Sequence, residues 1–151
     1  MFNIVLFEPE IPPNTGNIMR LVANTGCILH LIQPLGFSLE DKYLKRAGMD
    51  YINRVNYILH PNFEHFFESH ESQRMFLCST KASTLYNDIN FQQGDTLIFG
   101  PETRGLPKTL LDRFPSTQKI YIPMKQDGRS LNLATAVAII TYEAWSQINF
   151  L

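Results

Sequence analysis

The chain has 151 residues, 44% hydrophobic and 18% charged, with a formal net charge of -1. That length predicts one domain, residues 1–151, with room for a buried core, and no run is apolar enough to span a bilayer. A net charge near zero excludes a whole-molecule electrostatic grip on nucleic acid, so any phosphate-binding surface must be a local patch. The N-terminus carries no basic segment followed by a small-residue cleavage site, so no export signal is expected. Cys27 and Cys78 stand far apart with no metal-ligand spacing, which predicts a reduced, cytoplasmic protein.

Asn3 to Phe7 is a compact apolar run that predicts a buried strand. In EPEIPPNTGNIMR, Glu8 to Arg20, the prolines at 9, 12 and 13 argue against regular structure, and Asn14 or Thr15 is placed to cap a helix ended by Gly26. On that helix Ile18, Leu21, Val22 and Thr25 share one face, with Arg20, Asn17 and Asn24 on the polar side. Arg20 reads either as a solvated surface arginine or as the lip of a polar pocket formed with Asn14, Asn17 and the proline loop.

Ile28 to Ile32 predicts a second strand, and Asp41 to Tyr51 a helical piece whose Lys42, Lys45 and Arg46 read, by residue type alone, as a solvated face. Asn56 to Leu59 is a candidate strand. Asn62 can cap a short helix whose Phe63, Phe66 and Phe67 supply core. Met75 to Cys78 predicts a strand ending in Ser79, Thr80 and Lys81, with a looser stretch to Asp95. Thr96 to Phe99 is another buried strand and runs into GPETRGLP, a tight loop that lets backbone approach a ligand. A short helix from Pro107 to Phe114 follows. The histidines at 30, 60, 65 and 70 show no zinc-like spacing with acidic or cysteine partners, and no metal is expected; His30, inside an apolar strand, reads as a satisfied structural residue.

Ile120 to Ile122 predicts a short strand stopped by Pro123, followed by a polar loop, Lys125 to Ser130, and an apolar helix from Leu131 to Trp145 with Ser130 as its N-cap. Leu133, Ala134, Ala136, Val137, Ala138, Ile139 and Ile140 leave this helix almost no wet face, so it should be covered on every side, in part by another subunit. Alternating strands and helices predict an α/β fold with a mostly parallel sheet. In such sheets ligands bind outside the carboxyl ends of the strands. Three of those ends carry distinctive loops: Cys78 to Lys81, Gly100 to Gly105 and Ile122 to Ser130. The dinucleotide, P-loop and nucleophile-elbow patterns are missing, and no Ser/His/Asp set can be assembled.

Taken together, EPEIPPNTGNIMR, LIFGPETRGLP, and IYIPM followed by RSLNLATAVAIITYEAW resemble the signature motifs of the SPOUT-class RNA 2′-O-methyltransferases. The similarity is greatest to the small tRNA wobble-position enzymes of the TrmL/YibK type. It spans essentially the whole chain, including NTGNIMRLVANTG, QPLGF and LKRAGMDY. The resemblance implies a sheet flanked by helices with a C-terminal deep trefoil knot, although general rules of chain connection argue against knots. It also implies a homodimer packed through the first and last helices. The implied cofactor is S-adenosylmethionine, leaving as S-adenosylhomocysteine, in a cleft lined by Cys78, Ser79, Gly100, Ile122, Met124, Ser130 and Leu131.

The implied reaction is attack of a ribose 2′-hydroxyl on the cofactor methyl, at tRNA nucleotide 34, on cytidine or 5-carboxymethylaminomethyluridine of tRNA-Leu type substrates. The alternatives are ribose methylation of rRNA or of another tRNA position, and a non-catalytic RNA-binding module on the same fold. Arg20 would face the hydroxyl, either clamping the adjacent phosphate or taking the proton, a difficult task for a guanidinium. Asn14, Glu102, Ser130 and Asn132 match motif positions and would organise the pocket or position Arg20; Glu102 reads equally as an ion-pair partner of Arg104 or Arg20. With no separate RNA-binding domain, the anticodon stem-loop would lie on Lys42, Lys45, Arg46, Lys81, Arg104 and Arg129.

Overall fold

Strict alternation of side chains within the strands sets the layering of the protein. The computed structural model describes residues 1–48, 51 and 53–151. Among them seven strands form one sheet: β1 Asn3–Phe7, β2 Ile28–Ile32, β3 Tyr57–His60, β4 Met75–Cys78, β5 Thr84–Leu85, β6 Thr96–Phe99 and β7 Lys119–Tyr121. Their order is β3-β2-β1-β6-β4-β7-β5, and every pairing is parallel. Ile4, Leu6, Leu29, Leu31, Phe76, Leu97 and Phe99 point to one face of the sheet, and Val5, Ile32, Met75, Leu77 and Ile98 to the other, as a period of two requires.

The first face is covered by α1 Pro12–Thr25, α2 Lys42–Gly48 and α5 Leu133–Gln147. The second is covered by α3 Phe63–His70 and α4 Lys108–Leu111. Gly16 lets α2 lie against α1, since a Cβ there would sit 2.5 Å from the Leu44 carbonyl oxygen. The parallel register aligns Leu6, Phe99, Cys78 and Ile120. The loops after β1, β4, β6 and β7 therefore leave from a single edge.

Several boundaries differ from the sequence expectation, each for a local reason. α1 starts at Pro12 with Ile11 in the cap position and no side-chain cap; Asn14 and Thr15 are buried within the helix instead of capping it. Proline suits a helix's first turn, where its fixed φ is helical and its missing N–H goes unneeded. Gly26 ends the helix in the left-handed conformation, as expected. α5 is capped by Asn132, whose side-chain oxygen accepts from Ala134 N at 2.9 Å and Thr135 N at 3.3 Å. Ser130 lies outside the helix, in the preceding loop.

α2 spans Lys42–Gly48 within the expected 41–51; Asp41 Oδ1 accepts from Tyr43 N and Leu44 N at its start, and the Met49 and Asp50 of that expectation lie outside the described residues. β3 runs to His60 and β7 begins at Lys119, leaving Ile122 just past its strand. The stretch to Asp95 holds β5 and a single-turn helix at Tyr86–Asp88. α4 is confined to four residues after Pro107. Asn62 caps α3 through His65 N as anticipated; Phe63 and Phe66 are buried, whereas Phe67 packs at the margin of the core.

His30 is fully satisfied inside β2. Its Nδ1 lies 3.0 Å from His60 Nε2 and its Nε2 lies 3.2 Å from Asn3 Oδ1; His60 Nδ1 meets His65 Nδ1 at 3.2 Å, and the His70 ring packs edge-on against His30. Among the described residues no group of three or more His, Cys, Asp or Glu is placed to hold a metal. Burial first, then the His70 and His60 charges, push His30 down from 6.5 to about 3, and burial also lowers His60. The folded state thus resists protonation that the unfolded chain accepts below about 6.5. Stability should be full above that pH and fall as pH drops from 6.5 towards 3. Urea titrations across that window should show a steeper loss for the native protein than for His30→Gln measured against its own value at pH 7.5.

Candidate active site

The three distinctive loops converge on one cavity. Its volume is about 450 Å³, and its walls are Cys78–Lys81 after β4, Phe99–Leu106 after β6 and Ser130–Leu133 before α5. Ile11 and Asn14 close it from the start of α1, and Ala136 from α5. A lobe of about 90 Å³ shares Cys78, Ser79, Ser130 and Leu131 and extends the lining to Ile122 and Met124. Of the seven residues expected around the cofactor, Cys78, Ser79, Gly100, Ser130 and Leu131 line the cavity, and Ile122 and Met124 line the smaller space beside it.

Reciprocal hydrogen bonds tie the walls together. The Glu102 carboxylate accepts from Glu10 N at 3.0 Å and from Ile11 N. Glu10 answers by accepting from Thr103 N at 3.0 Å and from the Thr103 hydroxyl at 2.8 Å. These two Thr103 bonds, then the Arg104 charge, hold the Glu10 carboxyl below its ordinary range. Glu102 is thus no ion-pair partner of Arg104 or Arg20: Arg104 Nε lies 3.9 Å from Glu10 instead. The physical reason is competition, because two main-chain N–H groups with no helical acceptor are a better-aimed partner than a mobile guanidinium.

On the opposite wall, Asn132 Nδ2 donates to Asn14 Oδ1 at 2.9 Å while its oxygen caps α5. One side chain therefore couples the first helix to the last. Gly100 is required by close approach, since a Cβ would lie 2.3 Å from Leu106 N; the loop folds back on itself and keeps main chain against the cavity. Desolvation pushes the Cys78 thiol up to about 12, so it forms a neutral wall and not a nucleophile.

The remaining predicted residues divide. Lys81 and Arg104 line the cavity. Arg129 is exposed in the adjoining loop and does not line it. Arg20 is exposed on α1 and is not among the residues lining the cavity. Lys42, Lys45 and Arg46 sit together on α2, with Lys45 Nζ 2.6 Å from Glu40 and Lys42 Nζ 5.0 Å from the Tyr43 ring. Sequence reasoning missed Glu10 and Thr103, half of the clamp; the only signal was the acidic residue ahead of the proline pair, which does not name its partner across 93 positions. Leu133 and Ala136 also line the cavity; both lie within the RSLNLATAVAIITYEAW segment but were not singled out there as site residues, being ordinary apolar residues.

Residues 1–142 match the SpoU rRNA Methylase family. The chain belongs to that family. Within it, the tRNA (cytidine(34)-2'-O)-methyltransferase of Escherichia coli (strain K12) is 52% identical over 150 residues, 99% of this chain and 96% of that protein. The protein of the same name from Methylovorus glucosotrophus (strain SIP3-4) is 53% identical, over 99% of this chain and 97% of its own length. A solved structure described as "Structural insights into the 2-OH methylation of C/U34 on tRNA" superimposes with a TM-score of 0.93 at 46% identity, covering 99% of this chain and 97% of that one.

The clamp makes a direct prediction. Glu102→Ala leaves the Glu10 and Ile11 amides without their acceptor and should cost about 1–3 kcal/mol in chemical denaturation. Thr103→Val, which keeps the main-chain bond to Glu10, should cost less.

Proposed function

We infer that this protein transfers the methyl group of S-adenosylmethionine to the ribose 2′-hydroxyl of tRNA nucleotide 34. The observation that carries this is the match, over 99% of the chain at 52–53% identity, to tRNA (cytidine(34)-2'-O)-methyltransferases. The structural relative concerned with C/U34 extends the reading from cytidine to uridine. We assign the modified base to 5-carboxymethylaminomethyluridine in tRNA-Leu type substrates and the site of action to the cytoplasm, where tRNA is held. No helix among the described residues is long and apolar enough to cross a membrane.

The cavity fits the cofactor. Its volume is that of a small-molecule site, and Phe99, Leu131, Leu133 and Ala136 supply apolar wall beside the main chain of the folded Gly100 loop. Cys78, Ser79, Gly100, Ile122, Met124, Ser130 and Leu131 would hold it. When bound, S-adenosylmethionine supplies an electrophilic methyl group on a sulfonium centre. The protein's task is then to hold a poor nucleophile in line and relieve it of its proton. Asn14 and Asn132, locked to each other, and Glu102, locked to the α1 entry, keep the walls from shifting; Ser130 offers a hydroxyl at the mouth.

Arg20 acts from the substrate side. Exposed on α1, it suits a bidentate grip on the phosphate next to the target ribose. We further propose a homodimer through α1 and α5, which would bring Arg20 to a seam between the two subunits' cavities. Supporting this, α5 keeps apolar surface uncovered in the single chain: Ala138, Ile139 and Trp145 are only partly buried, and Tyr142 is 44% exposed. The expectation of a helix buried on every side therefore needs the second subunit. We also propose that the C-terminal chain is knotted. β7, the last strand, lies between β4 and β5 and not at an edge, so the chain reaching α5 must pass the 79–83 loop that joins those two neighbours. Lys42, Lys45, Arg46, Lys81, Arg104 and Arg129 are the proposed contacts to the anticodon stem-loop.

Incubation with methyl-labelled cofactor and total tRNA, followed by nuclease mapping and mass spectrometry, should place one methyl on the ribose of nucleotide 34; methyl on a base would refute the assignment. Arg20→Ala should bind cofactor normally and lose roughly 100-fold in turnover. In sedimentation velocity the native protein should run as a dimer and Tyr142→Glu as a monomer without methyl transfer.

A further inference from the structure

A second cleft, of about 300 Å³, adjoins the cavity and shares Ser79 and Lys81 with it. Its remaining walls are Ala82 and Ser83 from the β4–β5 loop, Lys108, Leu111 and Asp112 from α4 and its C-cap, and Ser116 and Lys119 leading into β7. The walls are fixed from both sides. The Thr84 hydroxyl donates to the Ser116 carbonyl at 2.9 Å, and Ser79 N donates to the Ile120 carbonyl at 2.9 Å. The cleft is therefore formed before anything binds.

Its chemistry is uneven in an informative way. Leu111, a core residue, and half-buried Ala82 make an apolar floor. Around them stand three lysines and three serine hydroxyls, against one carboxylate. That carboxylate, Asp112, is already engaged by Lys108 at 2.6 Å. The Lys108 hydrogen bond first, then the Lys108 and Lys119 charges, keep it ionised below its usual range. The cleft thus carries a local excess of positive charge on a chain whose net charge is -1. An apolar floor under an ammonium-and-hydroxyl rim suits a nucleobase face with its phosphate. The shared Lys81 wall makes that nucleotide a neighbour of one held at the methyl-transfer cavity, which favours bound RNA over a free nucleotide.

Resting on the tRNA ribose methyltransferase reading, we propose that this cleft holds a nucleotide flanking the methylated one, its phosphate on Lys81, Lys108 and Lys119 and its base on Leu111 and Ala82. The flanking nucleotide is thereby unstacked from the loop, and the target ribose is drawn towards the cavity by its neighbour.

The test uses the full-length protein, an anticodon stem-loop RNA and calorimetry with S-adenosylmethionine. Lys108→Gln with Lys119→Gln should weaken RNA binding about fivefold and make the log–log salt dependence shallower by about 1 for each phosphate left without its lysine, with cofactor affinity unchanged. Asp112→Asn, which releases Lys108, should tighten binding. Ser83→Trp, at an exposed position, should block the cleft and abolish the sensitivity of binding to an abasic residue beside the target. RNA affinity and salt slope unchanged in the double lysine variant, while the native enzyme methylates nucleotide 34, would overturn the cleft proposal and leave the enzymatic reading standing. Failure of the native protein to methylate tRNA would overturn that reading, and the cleft assignment with it.

Discussion

Main-chain amides left without partners where strands give way to helices are the constraint on which this structure depends. The chain enters α1 through a proline pair, so the amides just ahead of it have no helical carbonyl to meet. Glu102 meets them from a loop 91 and 92 residues away in sequence, and Glu10 returns the bond to Thr103. A carboxylate accepting two amide hydrogens is a strong and directional contact. It holds the loop after β6 against the end of β1, and this fixes one wall of the cavity.

The other wall is fixed in the same manner. Asn132 caps α5 with its oxygen and reaches Asn14 with its nitrogen, so the start of the last helix is registered on the first. Between these two polar ties the cavity needs few specialised side chains. Gly100 and the loops on either side present main chain, and Cys78 contributes only a neutral surface. On the proposed reading, a site built this way would separate two tasks: the backbone would grip the cofactor, and the charged residues at its rim and on α2 would be left to meet RNA.

Strand positions were legible in the sequence because each strand is a short apolar run with a punctuating residue at its end. β1, β2, β4 and β6 fall where expected. Helix starts were less legible. Ser130, Asn14 and Thr15 all have capping chemistry, yet the caps fell to Asn132 and Ile11, because the choice among adjacent polar residues depends on where the incoming loop is anchored. Candidate site residues could be named chiefly through the three motifs acting together; residue type alone left Arg20 and Glu102 open. The clamp from Glu10 to Thr103 had no local signature, since neither residue's neighbours announce a partner in a distant loop.

The sequence alone determined the α/β character, the three loops at strand ends and the excess of apolar surface on the last helix, because these follow from periodicity, punctuation and composition within short windows. Only the tertiary structure decided that β7 lies inside the sheet, that Glu102 serves backbone and not arginine, and that Arg20 stands apart from the cavity. The reason is range. Local pattern fixes what a segment is, whereas partners drawn from opposite ends of the chain are selected by competition among all the groups that folding brings within hydrogen-bonding distance.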